Sequence, residues 1–214
     1  MRICGQVSTP EVYRRTGVTS YQSELDHAFA TFSDWGYDGV ELTIRDPYLV
    51  DIDNLIRLKD SYHLPIPMIC TGEFYGQDHL SFADIDDAVR DTAITRFKKG
   101  IDIARTLGSG INLGRVRGAY MLHVAEEETR ARILDALRDV AAYAEKKQVV
   151  IVLEPVNTLA LNYVNSTEEG VALVEQVHSP AFQLMVDTAH LHLEDRDIAA
   201  SLNLSKPYLK YVHL

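Results

Sequence analysis

Three short apolar runs in the last third of the chain each end in a side chain able to bind a cation. They read V-V-I-V-L-E at residues 149–154, F-Q-L-M-V-D-T-A-H at 182–190 and Y-V-H-L at 211–214. An unbroken Val/Ile/Leu-rich run of this length is the mark of a strand buried on both faces, which parallel sheets require. Ligand-binding groups collect at the C-terminal ends of such strands. Glu154, Asp187 with His190, and His213 stand there. Two carboxylates and one or two imidazoles from three strands could surround one divalent cation.

Each residue also has an ordinary reading. Glu154 and Asp187 could be solvent-facing first residues of loops, and Asp187 could cap a short helix through Thr188. His190 and His213 could be hydrogen-bonded histidines of the surface or core. Their conjunction at the ends of successive strands favours the metal-site reading. The set is hard to borderline in character and suits Mn²⁺, Co²⁺, Mg²⁺ or Zn²⁺, and the lack of thiolates speaks against a structural zinc.

The elements that must position these groups alternate along the whole chain. Strands are expected at Ile3–Val7, Gly39–Ile44, Leu64–Cys70, Ile111–Leu113, Val149–Glu154, Phe182 to about Asp187, and Tyr211–Leu214. Apolar residues at helical spacing predict helices over Ser23–Trp35, Ile52–Tyr62, Asp84 or Asp86 to about Leu107, Thr129–Lys147, Thr167–Val177 and Ile198–Asn203. Gly36 and Gly108 fit helix ends. Residues 8–22 read as a loop, and residues 71–85 have the composition of a lid, in which Phe74 and Tyr75 could close over a substrate or simply pack as loop residues.

Strict alternation of strand and helix implies a parallel sheet with right-handed crossovers. Both a doubly wound sheet and a (β/α)8 TIM barrel satisfy it. No G-x-G-x-x-G follows the first strand, and only a barrel gathers successive strand ends around one mouth, so the barrel is favoured. A complete barrel takes about 250 residues. The sequence of 214 residues therefore reads as one domain, residues 1–214, whose barrel stops within strand seven, with strand eight and the last helix missing. Strands one and seven are then expected to keep unpaired edges, a route to a homo-oligomer. The formal charge of −10 argues against nucleic acid as a partner. No run is long enough to span a membrane, no signal-type segment is legible, and Cys4 and Cys70 are expected to be free thiols in a cytoplasmic protein.

Several segments resemble the sugar phosphate isomerase/epimerase family of xylose isomerase-like TIM barrels. They are Leu153-Glu154-Pro155-Val156-Asn157, Asn162–Ser166, Met185–His190, Val212-His213-Leu214, Gly36–Leu42 and Gly114–Gly118. The resemblance covers essentially the whole chain and is most specific over strands five to seven. It implies a metal ion, Mn²⁺ first among the candidates, held by Glu154, Asp187, His213 and a strand-eight glutamate that has no counterpart here. It further implies that His190 touches a substrate oxygen and that Glu41 lines the pocket. After the Pro-x-Asn motif, ketose epimerases of the family often carry Arg and then Glu two positions later. Thr158 and Ala160 stand there instead, so no particular sugar is carried over.

The expected activity is isomerisation or epimerisation of a small sugar or sugar phosphate, by proton transfer next to a carbonyl through a metal-stabilised enediolate. Glu154 would be one of the two acid–base carboxylates. Arg115 and Arg117 follow strand four at the same mouth and could hold a phosphate or carboxylate, or could be solvated surface residues. The alternative functions are an inactive or binding-only remnant of the barrel and an apurinic endonuclease-like phosphodiesterase.

Overall fold

A computed structural model describes residues 2–14 and 17–214. Seven parallel strands, β1 (Cys4–Ser8), β2 (Gly39–Thr43), β3 (Met68–Cys70), β4 (Gly110–Leu113), β5 (Ile151–Leu153), β6 (Phe182–Asp187) and β7 (Leu209–His213), form one sheet in sequential order. The helices are α1 (Leu25–Asp34), α2 (Ile52–Tyr62), α3 (Gly72–Gly76), α4 (Asp87–Leu107), α5 (Glu126–Lys147), α6 (Thr167–Val177), α7 (Thr188–Glu194) and α8 (Ile198–Ser205). The predicted loop over residues 8–22 is seen except at residues 15 and 16, which lie outside the described residues.

One contact decides between the two folds left open by the alternation. His213 on β7 lies 3.1 Å from the carboxylate of Glu41 on β2. Five strand spacings in a flat sheet would separate them by about 24 Å. The sheet must therefore curl until its seventh strand faces its second, which is the curvature of a barrel. β1 and β7 are not paired with each other. A cleft of about 1530 Å³, lined in part by Gln6, Glu41, Tyr211 and His213, runs between them. The outer edge of β1 is not bare as expected, because Tyr21 forms a parallel bridge to Val7 through Gln6 O and Ser8 N.

Strand alternation sorts the side chains into two populations. Val7, Leu42, Ile111, Leu153 and Leu184 point outward and pack with Phe29, Leu55, Phe97, Leu137 and Val174 of the helices in one continuous core. Inside, Met68, Val152 and Met185 pack with Tyr211 in a small separate cluster. Above that floor the inward positions turn polar: Gln6, Glu41, Asn112, Asp187 and His213, with Glu154 just past the end of β5.

Local sequence explains the helix boundaries. The Asp86 side chain accepts from Ala88 N and starts α4, and Gly108 at φ +73° ends it, a conformation glycine adopts without a Cβ penalty. Ser166 and Glu169 form a reciprocal capping box at α6. α5 begins at Glu126, three residues before the expected start, with Glu126, Glu127 and Glu128 in a first turn that favours negative charge. The lid expected over residues 71–85 contains α3 instead, with Phe74 fully buried in the outer core. Cys4 and Cys70 are free, and burial pushes the Cys70 thiol well up, aided by Glu41 and Glu154.

Candidate metal centre

Glu154, Asp187, His190 and His213 converge at the C-terminal mouth of β5–β7. One ligand atom each from Glu154, Asp187 and His190 lie within 4.8 Å of one another. His213 Nδ1 stands 3.3 Å from Glu154 Oε1 and 3.8 Å from Asp187 Oδ2. Atoms bound about 2.1 Å from a common ion are separated by about 3.0–4.2 Å, from adjacent to opposite positions. Both His213 distances fall in that range.

Each group is held by its own element. Asp187 and His213 are register partners across β6 and β7. Asp187 Oδ1 accepts from Ala189 N at 2.8 Å and His190 N at 3.0 Å, capping α7. That cap leaves Oδ2 facing the cluster. α7 carries His190 back over the mouth, one turn after its strand. Glu154 Oε2 accepts from Asn112 Nδ2 on β4 at 2.8 Å. At Gly114 an added Cβ would sit 3.1 Å from Glu154 Oε2, so the missing side chain keeps that oxygen uncrowded. Asn112 Oδ1 is buried with no hydrogen-bond partner among the described residues.

The electrostatics show that the centre demands positive charge. Burial opposes the charged form of His213, yet its hydrogen bonds to Glu154 and Glu41 outweigh burial and push its pKa up to about 10. Burial likewise opposes ionisation of Glu154, but the hydrogen bond from His213, its charge, and Asn112 together hold the carboxyl below its ordinary value. Without an ion, a protonated imidazole therefore balances the carboxylates. A divalent cation would supply that charge and compete with the proton for the same nitrogen. The donor set, its spacing and its charge all fit such an ion.

The other expected residues divide. Glu41 is buried at the cluster's inner side, accepting from Gln6 Nε2 at 2.8 Å and facing His213 Nε2. Arg117 departs from the expected substrate contact. Its guanidinium is fully buried and makes five hydrogen bonds, to the carbonyls of Gly114, Glu154, Tyr163 (twice) and Val164. All five donors are occupied, so none is left for a ligand. Burial lowers its pKa to about 10, still charged at neutral pH. Its task is to tie the β4 and β5 loops together behind Glu154. Arg115 donates to Gly72 O at 3.0 Å and lies 3.3 Å from Glu73 Oε1, so an acid of α3 already balances its charge. Thr158, where the family's ketose epimerases often have Arg, binds Glu194 Oε1 through both N and Oγ1.

Sequence reasoning missed Gln6 and Asn112. The one available signal was that a polar residue in a strand buried on both faces needs a partner.

Comparison with known proteins identifies the family. The family model described as xylose isomerase-like TIM barrel matches residues 29–214. An L-ribulose 3-epimerase of Mesorhizobium japonicum is 30% identical over 200 residues, 92% of this chain and 65% of the relative. An L-ribulose 3-epimerase of Methylomonas sp. (strain DH-1) is 28% identical over 185 residues, 84% of this chain and 62% of the relative. The chain thus spans a little under two thirds of the length of these relatives. A D-allulose 3-epimerase from Methylomonas sp., solved in complex with D-allulose, superposes with a TM-score of 0.80 at 24% identity, covering 99% of this chain and 72% of that one. With the barrel curvature, the strand-end cluster and the family match in hand, the chain belongs to the xylose isomerase-like TIM barrels.

Proposed function

We propose that this chain carries the metal-binding part of a divalent-metal-dependent ketose 3-epimerase. The observation that carries the reading is the gathering of ligand atoms of Glu154, Asp187 and His190 within 4.8 Å of one another, with His213 Nδ1 3.3 and 3.8 Å from the two carboxylates. The names of the L-ribulose 3-epimerase relatives support the same reaction class.

Glu154, Asp187 and His213 would hold the ion, with Mn²⁺ the first candidate and Co²⁺, Mg²⁺ and Zn²⁺ the others. When bound, the ion supplies positive charge against adjacent substrate oxygens while the neighbouring carbon acid loses its proton. Glu154 is the general base. The Asn112 amide orients its carboxylate and helps to hold it ionised. Glu41, held by Gln6, orients His213 from the far side of the ring. His190 faces a substrate oxygen.

The loop after β4 favours a sugar without a phosphate group. Arg117 has every donor bonded to main-chain oxygen, and Arg115 is balanced by Glu73. Neither arginine of this loop is poised to recognise a dianion.

Incubation with Mn²⁺ and L-ribulose in D₂O tests the reading. Deuterium is expected at the carbon beside the carbonyl, with loss of exchange on chelation and in Glu154→Gln. Stoichiometric Mn²⁺ binding without exchange into any of a panel of ketoses would sink the epimerase assignment.

A further inference from the structure

His190 sits close enough to Glu154 and Asp187 to be counted among the ligands of an ion. Whether it can serve as one depends on which ring nitrogen carries the proton, and a residue outside the cluster decides that. Asn157, in the loop after β5, places its side-chain nitrogen 2.8 Å from His190 Nδ1.

The orientation of that amide follows from its other end. Asn157 Oδ1 accepts from the main-chain N–H of Leu159 at 3.1 Å. A main-chain N–H can only donate, so the oxygen must lie there and the NH₂ must face the ring. The turn is secured independently of His190, since Ala160 N and Leu161 N both donate to Asn157 O, at 2.9 and 3.2 Å. An amide NH₂ has hydrogens and no acceptor, so His190 Nδ1 must receive the bond with its lone pair. A neutral imidazole then carries its hydrogen on Nε2.

We propose that Asn157 is a positioning residue that locks His190 in the Nε2–H tautomer, making it a hydrogen-bond donor to substrate oxygen and excluding it from the ion's ligands. Nδ1 is engaged by the amide and Nε2 is protonated, so neither nitrogen offers a lone pair. The ion is left with Glu154, Asp187 and His213. This assignment rests on reading the mouth as a metal-dependent ketose site, but its test does not depend on turnover.

Long-range ¹H–¹⁵N correlation spectra of the ¹⁵N-labelled chain at about pH 8, where an ordinary imidazole is neutral, report the tautomer directly. His190→Gln identifies the signals. The expected pattern is protonated Nε2 and unprotonated Nδ1 for His190, unchanged when diamagnetic Zn²⁺ is added. In Asn157→Asp, a carboxylate oxygen faces Nδ1 and can only accept. The tautomer is expected to reverse, exposing the Nε2 lone pair and tightening Zn²⁺ binding about 10-fold. The same substitution in a His190→Gln background is expected to leave Zn²⁺ affinity within about 2-fold, far less than the gain expected from one added ligand contact. A protonated Nδ1 in the unsubstituted chain, or loss of the Nε2 hydrogen on Zn²⁺ addition, would overturn the proposal whatever the enzyme does with ketoses. An Nε2–H His190 in a protein without metal-dependent exchange would instead remove the epimerase reading and leave this one standing.

Discussion

On the outer face of the curled sheet, residues such as Val7, Leu42, Ile111, Leu153 and Leu184 are buried together with the helices in one continuous apolar core. On the inner face the apolar contact shrinks to Met68, Val152 and Met185 with Tyr211, and then gives way to Gln6, Glu41, Asn112, Glu154 and His213. The two faces of the same strands thus do different work. The outer face makes many interchangeable contacts, and removing one leaves the rest in place. Each inner polar group has one or two specific partners, and in this low-dielectric setting an unmatched partner is costly. Stability is therefore distributed over the outside, and chemistry is concentrated within.

That contrast can be broken at either face. The largest effect is expected inside. Glu154→Gln keeps the Asn112 contact but removes the proposed base and one proposed ligand, and should lower ketose exchange about 10³-fold or more while also weakening Mn²⁺ binding. On the outside, Phe97→Ala deletes a fully buried ring and should cost about 3–4 kcal/mol in denaturant titrations. Mn²⁺ affinity of the fraction still folded should remain. If Phe97→Ala weakened Mn²⁺ binding as much as Glu154→Gln lowers exchange, the separation of the two faces would be wrong.

Arg117 joins the two regions. Arg117→Met leaves the carbonyls of Gly114, Glu154, Tyr163 and Val164 without their donor and should destabilise by about 2–3 kcal/mol. If Arg117 is structural, inorganic phosphate should bind the parent and the variant equally weakly in calorimetry. Measurable phosphate binding by the parent that vanishes in Arg117→Met would restore the ligand-binding role.

A further test is a pH dependence confined to the metal-free chain. His213 has a pKa of about 10 when folded, against an ordinary value of 6.5. Its raised value means that its contribution to stability is fully present below about pH 6.5 and is lost as pH rises through about 10. The depressed Glu154 pKa works in the opposite sense, giving stability that is present above 4.5 and lost as pH falls through the lowered value. Melting curves of the chelated chain should therefore decline over the alkaline window, and His213→Gln should flatten that decline.

Much of the candidate centre was legible because its residues interrupt a strong pattern. Glu154 and His213 each end or enter an apolar run that has no other reason for a polar group, and Asp187 combines that position with a helix cap. Gln6 and Asn112 were not legible. Their strands are short, and a parallel strand buried on both faces shows no polar alternation that would mark which residues point inward. Arg117 misled for the converse reason. A loop arginine is ordinarily solvated, and its carbonyl partners at residues 163 and 164 come from a loop more than forty positions away. Of the two readings of Phe74 and Tyr75, packing holds for Phe74, which is core, and paired aromatics in a polar loop do not reveal which reading applies.

The amino-acid sequence by itself determined the alternation of strand and helix, most helix ends and the three strand tips that carry ligand-type groups. These depend on local chemistry: apolar runs, capping side chains and glycine at positive φ. Only the tertiary structure decided that the sheet curls, because curvature is a sum of twist and register over all seven strands and is not encoded at any one of them. The same curvature brings Glu41 within reach of His213 across the mouth. The fold of the β5 loop likewise sets the Asn157 amide against His190.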